Sequence, residues 1–291
     1  MKILVYGAGV VGSLLAARLH EAGHDVALLA RGDRLTSLRQ HGVQLAEANS
    51  RDITRIPVPV VDHPSNGYDL TTVLVRTHQI DPVLTSLADL DGDVLFLTHW
   101  AAGPHPLGAV IGHDRVLLGT PTAAGTMDGD IIRYRAPNAL TRRVAMPIGE
   151  PHGRTTPRLE RIVKAFRTAG INARPEPQMD ARLKTHAAFA VPLGQTVQAA
   201  GGPAALADDT DAIRTMLHLM RQNLAALPTP PTPRSFTALR TLPEGLLVAA
   251  LRRFLRSPTA VHSGLSNTSP AERDELERLA AQIRALTINA R

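Results

Sequence analysis

The chain has 291 residues, a formal net charge of +6, 44% hydrophobic and 20% charged residues, and no cysteine. That length allows two domains with their own cores, and the composition is that of an ordinary globular protein. Disulfides, thiolate metal sites and cysteine nucleophiles are excluded, no apolar stretch is long enough to span a bilayer, and scattered basic residues with only 3% aromatics argue against nucleic-acid binding.

Lys2–Tyr6 is a short apolar run that predicts a buried strand, and Ser13–Leu19 carries a helical pattern. The chain enters this strand at once, which predicts no signal peptide and a cytoplasmic protein. Between strand and helix stand Gly7, Gly9 and Gly12, the Gly-x-Gly-x-x-Gly spacing in the context that gives it meaning. Gly7 allows the tight turn, Gly9 lets a pyrophosphate approach the backbone, and Gly12 lets the helix pack on the strand. The backbone from Gly7 to Gly12, with Ala8, Val10 and Val11, is the expected dinucleotide cradle at a helix N-terminus. The second strand, His24–Ala30, ends on Ala30 and Arg31. An NAD-selective site usually carries a carboxylate there for the ribose 2′-OH. Arg31 instead offers paired donors to a 2′-phosphate, with Arg34 close enough to add to the field, so NADP(H) is the expected cofactor.

Further along, Leu35–His41 and Ile80–Leu90 read as helices, and Ile56–Val61, Leu70–Val75, Val94–Thr98 and Val116–Leu118 as strands. This alternation predicts a doubly wound parallel sheet. The turn chemistry of Gly125–Asp130, flanked by Ile131–Tyr134 and Arg143–Ile148, predicts antiparallel strands closing that sheet. From Thr155 the pattern is helical: Leu159–Ala169, Met179–Ala200 with a kink at Pro192, Asp208–Leu227, a proline-rich loop at Pro228–Pro233, Leu246–Leu255, and Pro270–Leu286 capped by Ser269. The expected fold class is α/β: a dinucleotide-binding domain over 1–152 with an antiparallel extension, followed by an all-helical domain over 153–291. Ile213, Met216, Leu217, Leu219, Met220 and Leu224 give one helix a broad apolar surface, which predicts a homodimer built from the helical half.

Lysine usage is the second clue. Only three of the 32 Lys and Arg residues are lysines: Lys2, Lys164 and Lys184. A lysine kept against such a bias suits proton chemistry, because arginine does not give up its proton. Lys164 lies on a charged helix, whereas Lys184 has Leu183, Ala187, Ala188, Phe189 and Val191 as neighbours and is expected to face a cleft. The twelve histidines show no tight ligand spacing and few neighbouring carboxylates, so no metal is expected. Ser263 and Ser266 lack the strand–turn–helix elbow of a hydrolase nucleophile.

These segments resemble the ketopantoate reductase (2-dehydropantoate 2-reductase) family, within the 6-phosphogluconate-dehydrogenase-like superfamily. The resemblance runs through Lys2–Gly12, Leu28-Leu-Ala-Arg-Gly32, Val75-Arg-Thr-His-Gln-Ile80, Gly125–Arg133, Ile148-Gly-Glu150 and Ala181-Arg-Leu-Lys-Thr185. It implies an NADPH-dependent reductase of a 2-oxo acid or related small ketone, with Lys184 in the place of the catalytic lysine. It implies Arg76 at the cofactor, where the family usually has lysine. Ser263 and Asp274-Glu275-Leu276 echo late family motifs and imply a substrate role for Ser263 and a catalytic role for Glu275. The departures are specific. His99-Trp100-Ala101 stands where the family usually has His-Asn-Gly, so Trp100 is expected to reshape the substrate site. Ala188 and Pro192 stand where two asparagines usually follow the lysine. These losses leave one alternative open, a non-catalytic NADP(H)-binding protein.

Overall fold

The computed structural model describes residues 1–48, 50–122, 125–135, 144–257, 260 and 269–288. Two compact units emerge. The first comprises Met1–Val75, Gln79–Thr98 and Pro104–Met179, and the second Arg76–His78, His99–Gly103 and Asp180–Arg291. The division falls at Met179–Asp180, not near residue 152. The helix Pro157–Thr168 begins after the expected boundary but buries Leu159, Ile162, Val163 and Phe166 in the core of the first unit. Each such side chain contributes about 1.5–3 kcal/mol when buried. Arg158 adds ion pairs to the buried Glu150 and to Asp93.

In the first unit the described strands are β1 (Lys2–Tyr6), β2 (Asp25–Leu29), β3 (Val43–Glu47), β4 (Thr54–Ile56), β5 (Val60–Val61), β6 (Leu70–Val73), β7 (Asp93–Leu97), β8 (Val116–Gly119), β9 (Gly125–Asp128), β10 (Ile131–Tyr134), β11 (Met146–Gly149) and β12 (Ala173–Pro175). The larger sheet has the order β12-β11-β8-β7-β6-β1-β2-β5. From β5 to β8 all pairs are parallel, in the doubly wound order whose direction of growth reverses between β1 and β6. Ligands of such sheets bind in the crevice beyond the carboxyl ends of the strands at that reversal. The helices α1 (Val10–Glu21), α2 (Gly32–His41), α3 (Ile80–Leu87), α4 (His105–Ile111) and α5 (Pro157–Thr168) belong to this unit.

The expected antiparallel closure is half right. β11 does pair antiparallel with β8. The β9–β10 hairpin instead joins a separate sheet of order β4-β3-β10-β9, in which β10 pairs parallel with β3. β3, whose Val43 and Leu45 enter the core, is not among the strands expected from the sequence. The expected strand Ile56–Val61 is split between the two sheets, because Pro57 and Pro59 interrupt it and offer no N–H to a ladder.

The second unit is helical: α6 (Met179–Ala199, of which Asp180 onward belongs here), α7 (Pro203–Asp208), α8 (Thr210–Ala225), α9 (Ala238–Thr241), α10 (Glu244–Leu255) and the helix Pro270–Ile288. α6 continues through Pro192. Proline has no N–H for the Ala188 carbonyl four residues back, and Asn223 Nδ2 of α8 donates to that oxygen at 3.4 Å. The apolar face of α8 is spent inside the unit: Ile213, Met216, Leu217, Met220 and Leu224 are buried there, and Leu219 alone of the six is 44% exposed. That helix therefore keeps no broad face for a second copy, which removes the ground for the expected dimer. Among the described residues no helix is long and apolar enough to cross a membrane.

Candidate functional site

The glycine turn follows β1 at the reversal of strand order. Gly7 has φ +118°, and a Cβ there would lie 2.5 Å from the Leu74 carbonyl oxygen. A Cβ on Gly12 would lie 1.9 Å from the Gly7 oxygen, so α1 rests directly on the turn. Gly9 is the opposite case, because its Cβ would meet nothing within 4 Å. The turn is thus closed from below at Gly7 and Gly12 and open above Gly9. Gly9 caps α1 without any side-chain acceptor, and the first turn of α1 has no acidic residue. The first N–H groups of such a helix, aided by its dipole, suit an anion. The arrangement fits the pyrophosphate of a dinucleotide.

Arg31 stands at the end of β2 as the exposed N-cap of α2, after the buried Ala30. Its Nη2 donates to Tyr6 Oη at 2.8 Å. Arg34 has a different task from the one expected. Its Nε donates to Ala8 O at 3.3 Å, and its Nη1 to the Asp130 backbone oxygen and Oδ1 at 3.0 and 3.1 Å. It braces the glycine turn from the β9–β10 hairpin and shields one carbonyl that would repel a phosphate.

The second unit gathers the other candidates around α6, the helix Pro270–Ile288 and the segments Arg76–His78 and His99–Gly103. Lys184 Nζ donates to Asp180 Oδ2 at 2.5 Å, one turn earlier on α6. The lysine side chain is 12% exposed, so it is no surface lysine. Asp180 Oδ1 is buried without a hydrogen-bond partner among the described residues. A Cβ on Gly103 would lie 3.6 Å from Lys184 Nζ and 3.7 Å from that oxygen, so the Gly103 turn leaves space beside both. Asp180 is not among the site residues expected from the sequence, although an acid four residues before a lysine on a helix is a readable pairing signal.

Trp100 is placed otherwise than expected. Its ring is 3% exposed and its Nε1 donates to Gly103 O at 2.6 Å. The indole braces its own loop and presents almost no surface to a ligand, because its single polar hydrogen finds a partner within the loop. Ala101 N donates to Gln282 Oε1 at 2.8 Å, which ties the same loop to the last helix.

Arg76 and Glu275 come together. Arg76 Nη1 donates to Glu275 Oε2 at 2.8 Å and Glu272 Oε2 at 2.9 Å. Burial opposes the Arg76 charge, but the two carboxylates outweigh it and raise its pKa. Glu275 is 12% exposed at its side chain, and its Oε1 lies 3.4 Å from Thr77 Oγ1. Thr77 Oγ1 donates to His99 O at 2.5 Å. The network holds the two segments on the last helix. Both carboxylates are readable on that helix, but their partner lies nearly two hundred positions away.

His99 and His186 stack with ring centroids 4.7 Å apart. Burial is the main cause that pushes His186 down to about 3, with His99 and Arg182 adding to it. Burial, then Arg76, lowers His99 as well. Both imidazoles are therefore neutral at pH 7. Among the described residues no group of three or more potential ligands converges on a metal position. Ser263 lies outside the described residues.

A family model described as ketopantoate reductase PanE/ApbA matches residues 3–141. A 2-dehydropantoate 2-reductase of Mesorhizobium japonicum is 26% identical over 200 residues, covering 60% of this chain and 59% of that protein. The chain thus matches about three-fifths of that curated relative's length, and 55% of one from Archaeoglobus fulgidus at 28% identity. Among solved structures, 2-dehydropantoate 2-reductase from Geobacter metallireducens superposes with a TM-score of 0.70 at 16% identity over the full length of both chains. D-mandelate dehydrogenase with NADH and anilino(oxo)acetate superposes with a TM-score of 0.68 at 14% identity, covering 98% of this chain and 99% of that one. These likenesses bear out the α/β fold read from the sequence.

Proposed function

We propose that this chain, a divergent member of the ketopantoate reductase family, reduces a small 2-oxo acid to the 2-hydroxy acid with NADPH. The observation that carries this reading is Lys184, largely buried beside Asp180 in the helical unit. A bound reduced nicotinamide supplies hydride to the carbonyl carbon. The chain supplies the rest. The open backbone at Gly9 and the N-terminus of α1 hold the pyrophosphate. Arg31 pairs with the ribose 2′-phosphate through its fork of donors. Lys184 Nζ gives a proton to the carbonyl oxygen as it gains charge and later recovers one from solvent. Asp180 keeps the ammonium group in place between turnovers. Glu275 serves by fixing Arg76.

The substrate need not be ketopantoate. Where the family usually has an asparagine, Trp100 spends its one donor on Gly103, so no side-chain amide at that position reads the substrate. The same fold carries a D-mandelate dehydrogenase, a precedent for other 2-oxo acids. The test is NADPH oxidation with a panel that includes pyruvate, phenylglyoxylate and ketopantoate. Turnover of at least one acid, with ketopantoate behind it, is expected. Ketopantoate turnover at an ordinary rate of roughly 10 per second overturns the altered preference. Silence across the panel overturns the reductase and leaves a non-catalytic NADP(H)-binding protein.

Cofactor choice is tested separately. Arg31→Ala is expected to weaken NADPH binding by roughly 1.5–3 kcal/mol, the worth of hydrogen bonds to a charged group, and to leave NADH unchanged. Equal affinity of the wild-type protein for both cofactors refutes it.

A further inference from the structure

Tyr6 is the last residue of β1, immediately before Gly7, and it is 4% exposed. Its hydroxyl has two partners, Arg31 Nη2 at 2.8 Å and Ser86 Oγ at 3.2 Å. Elimination fixes the direction of each bond. A guanidinium only donates, so Tyr6 accepts from Arg31. Ser86 has one hydroxyl proton and donates it to Val83 O at 2.8 Å. Tyr6 must therefore donate to Ser86. A one-way chain of donors runs from Arg31 through Tyr6 and Ser86 to the Val83 carbonyl. It joins the end of β2, the end of β1 and α3. The Arg31 guanidinium carbon also lies 5.9 Å from the centre of the Tyr6 ring, within cation–π range.

We infer that Tyr6 is a positioning residue for cofactor selection: it holds the Arg31 guanidinium in the orientation that presents its remaining N–H groups to a ribose 2′-phosphate. The inference rests on the reading of Arg31 given above and deepens it. Arg31 is exposed at the end of a strand, where an arginine side chain samples many rotamers. Binding a phosphate would otherwise have to restrict them. A fixed acceptor restricts them beforehand, which raises affinity without a new contact to the ligand. Tyr6→Phe keeps the buried ring and removes the hydroxyl alone, which separates packing at the end of β1 from the anchor. The anchor does nothing for NADH, which has a hydroxyl in place of the 2′-phosphate.

The test is titration of the full chain with NADPH and NADH, followed by nucleotide fluorescence, for wild type, Tyr6→Phe, Ser86→Ala, Arg31→Ala and the Tyr6→Phe/Arg31→Ala double variant. Tyr6→Phe is expected to weaken NADPH about fivefold. NADH should stay within about twofold, and the double variant should bind NADPH no worse than Arg31→Ala, the non-additivity of groups acting as one unit. Equal weakening of both cofactors indicates a merely structural hydroxyl and overturns the proposal. So does unchanged NADPH affinity in Tyr6→Phe while Arg31→Ala is impaired; in that case the reading of Arg31 survives. If Arg31→Ala binds NADPH as wild type does, that reading falls and the proposal with it. Should Tyr6→Phe lose its thermal transition, Ser86→Ala decides. It removes the acceptor beneath Tyr6, together with the local bond from Ser86 to Val83 O, and is expected to weaken NADPH selectively, by less than Tyr6→Phe; wild-type affinity overturns the proposal.

Discussion

Lys184→Ala is expected to lower kcat by about 10²–10⁴, the range for loss of a positioned proton donor, while NADPH affinity should barely change. The reason is the placement of the ammonium group. Its Nζ lies 2.5 Å from Asp180 Oδ2 with the Gly103 turn alongside, and no other lysine belongs to the helical unit. Lys184→Arg is expected to be nearly as poor, because arginine keeps the charge but does not release the proton. Lys164→Ala is the control. Lys164 is exposed on α5, so that variant should match wild type. Steady-state rates with a responsive 2-oxo acid decide the matter. An active Lys184→Arg enzyme excludes proton donation and leaves an electrostatic role alone.

Gly12→Ala carries the second large effect. Its methyl group would sit 1.9 Å from the Gly7 oxygen and 3.1 Å from the Gly7 carbonyl carbon. Both are backbone atoms, so no rotamer change relieves the clash. α1 must lift from the turn, at a cost of about 1–3 kcal/mol or more for an overpacked contact. The lift also moves the helix N-terminus away from the place proposed for the pyrophosphate. Thermal stability and dinucleotide affinity should therefore fall together. Gly9→Ala separates the two quantities. Its methyl group meets no protein atom within 4 Å, so the melting temperature should hold while cofactor affinity falls. Melting curves alongside cofactor titrations check both variants. A Gly12→Ala protein with wild-type stability and affinity refutes the account of the turn.

The cofactor half was readable because its signals are local. A glycine that must adopt φ +118° and a helix that starts three residues later are written within one stretch of chain. Arg31 after Ala30 is equally local. Lys184 stood out by composition, since the chain spends arginine wherever a plain charge serves. What escaped was non-local. Two partners of Arg76 lie 196 and 199 residues away at Glu272 and Glu275, and His99 stacks on His186 from another element. Trp100 read as a substrate residue because its position matched a functional asparagine; only the loop carbonyl opposite its indole shows it to be a brace.

Domain layout shows the same limit. Helical periodicity after residue 152 is real, but periodicity names an element and not the surface it packs on. α5 joins the parallel sheet through its own apolar face and Arg158, and β12 extends that sheet. Conversely, Arg76–His78 and His99–Gly103 follow strands β6 and β7 but belong to the helical unit. Residue type and spacing along the chain therefore settled the glycine turn and the order of most elements. Tertiary structure alone decided which charges meet, which apolar faces are consumed and where one unit ends, because pairing and burial depend on distances through space that sequence separation does not encode.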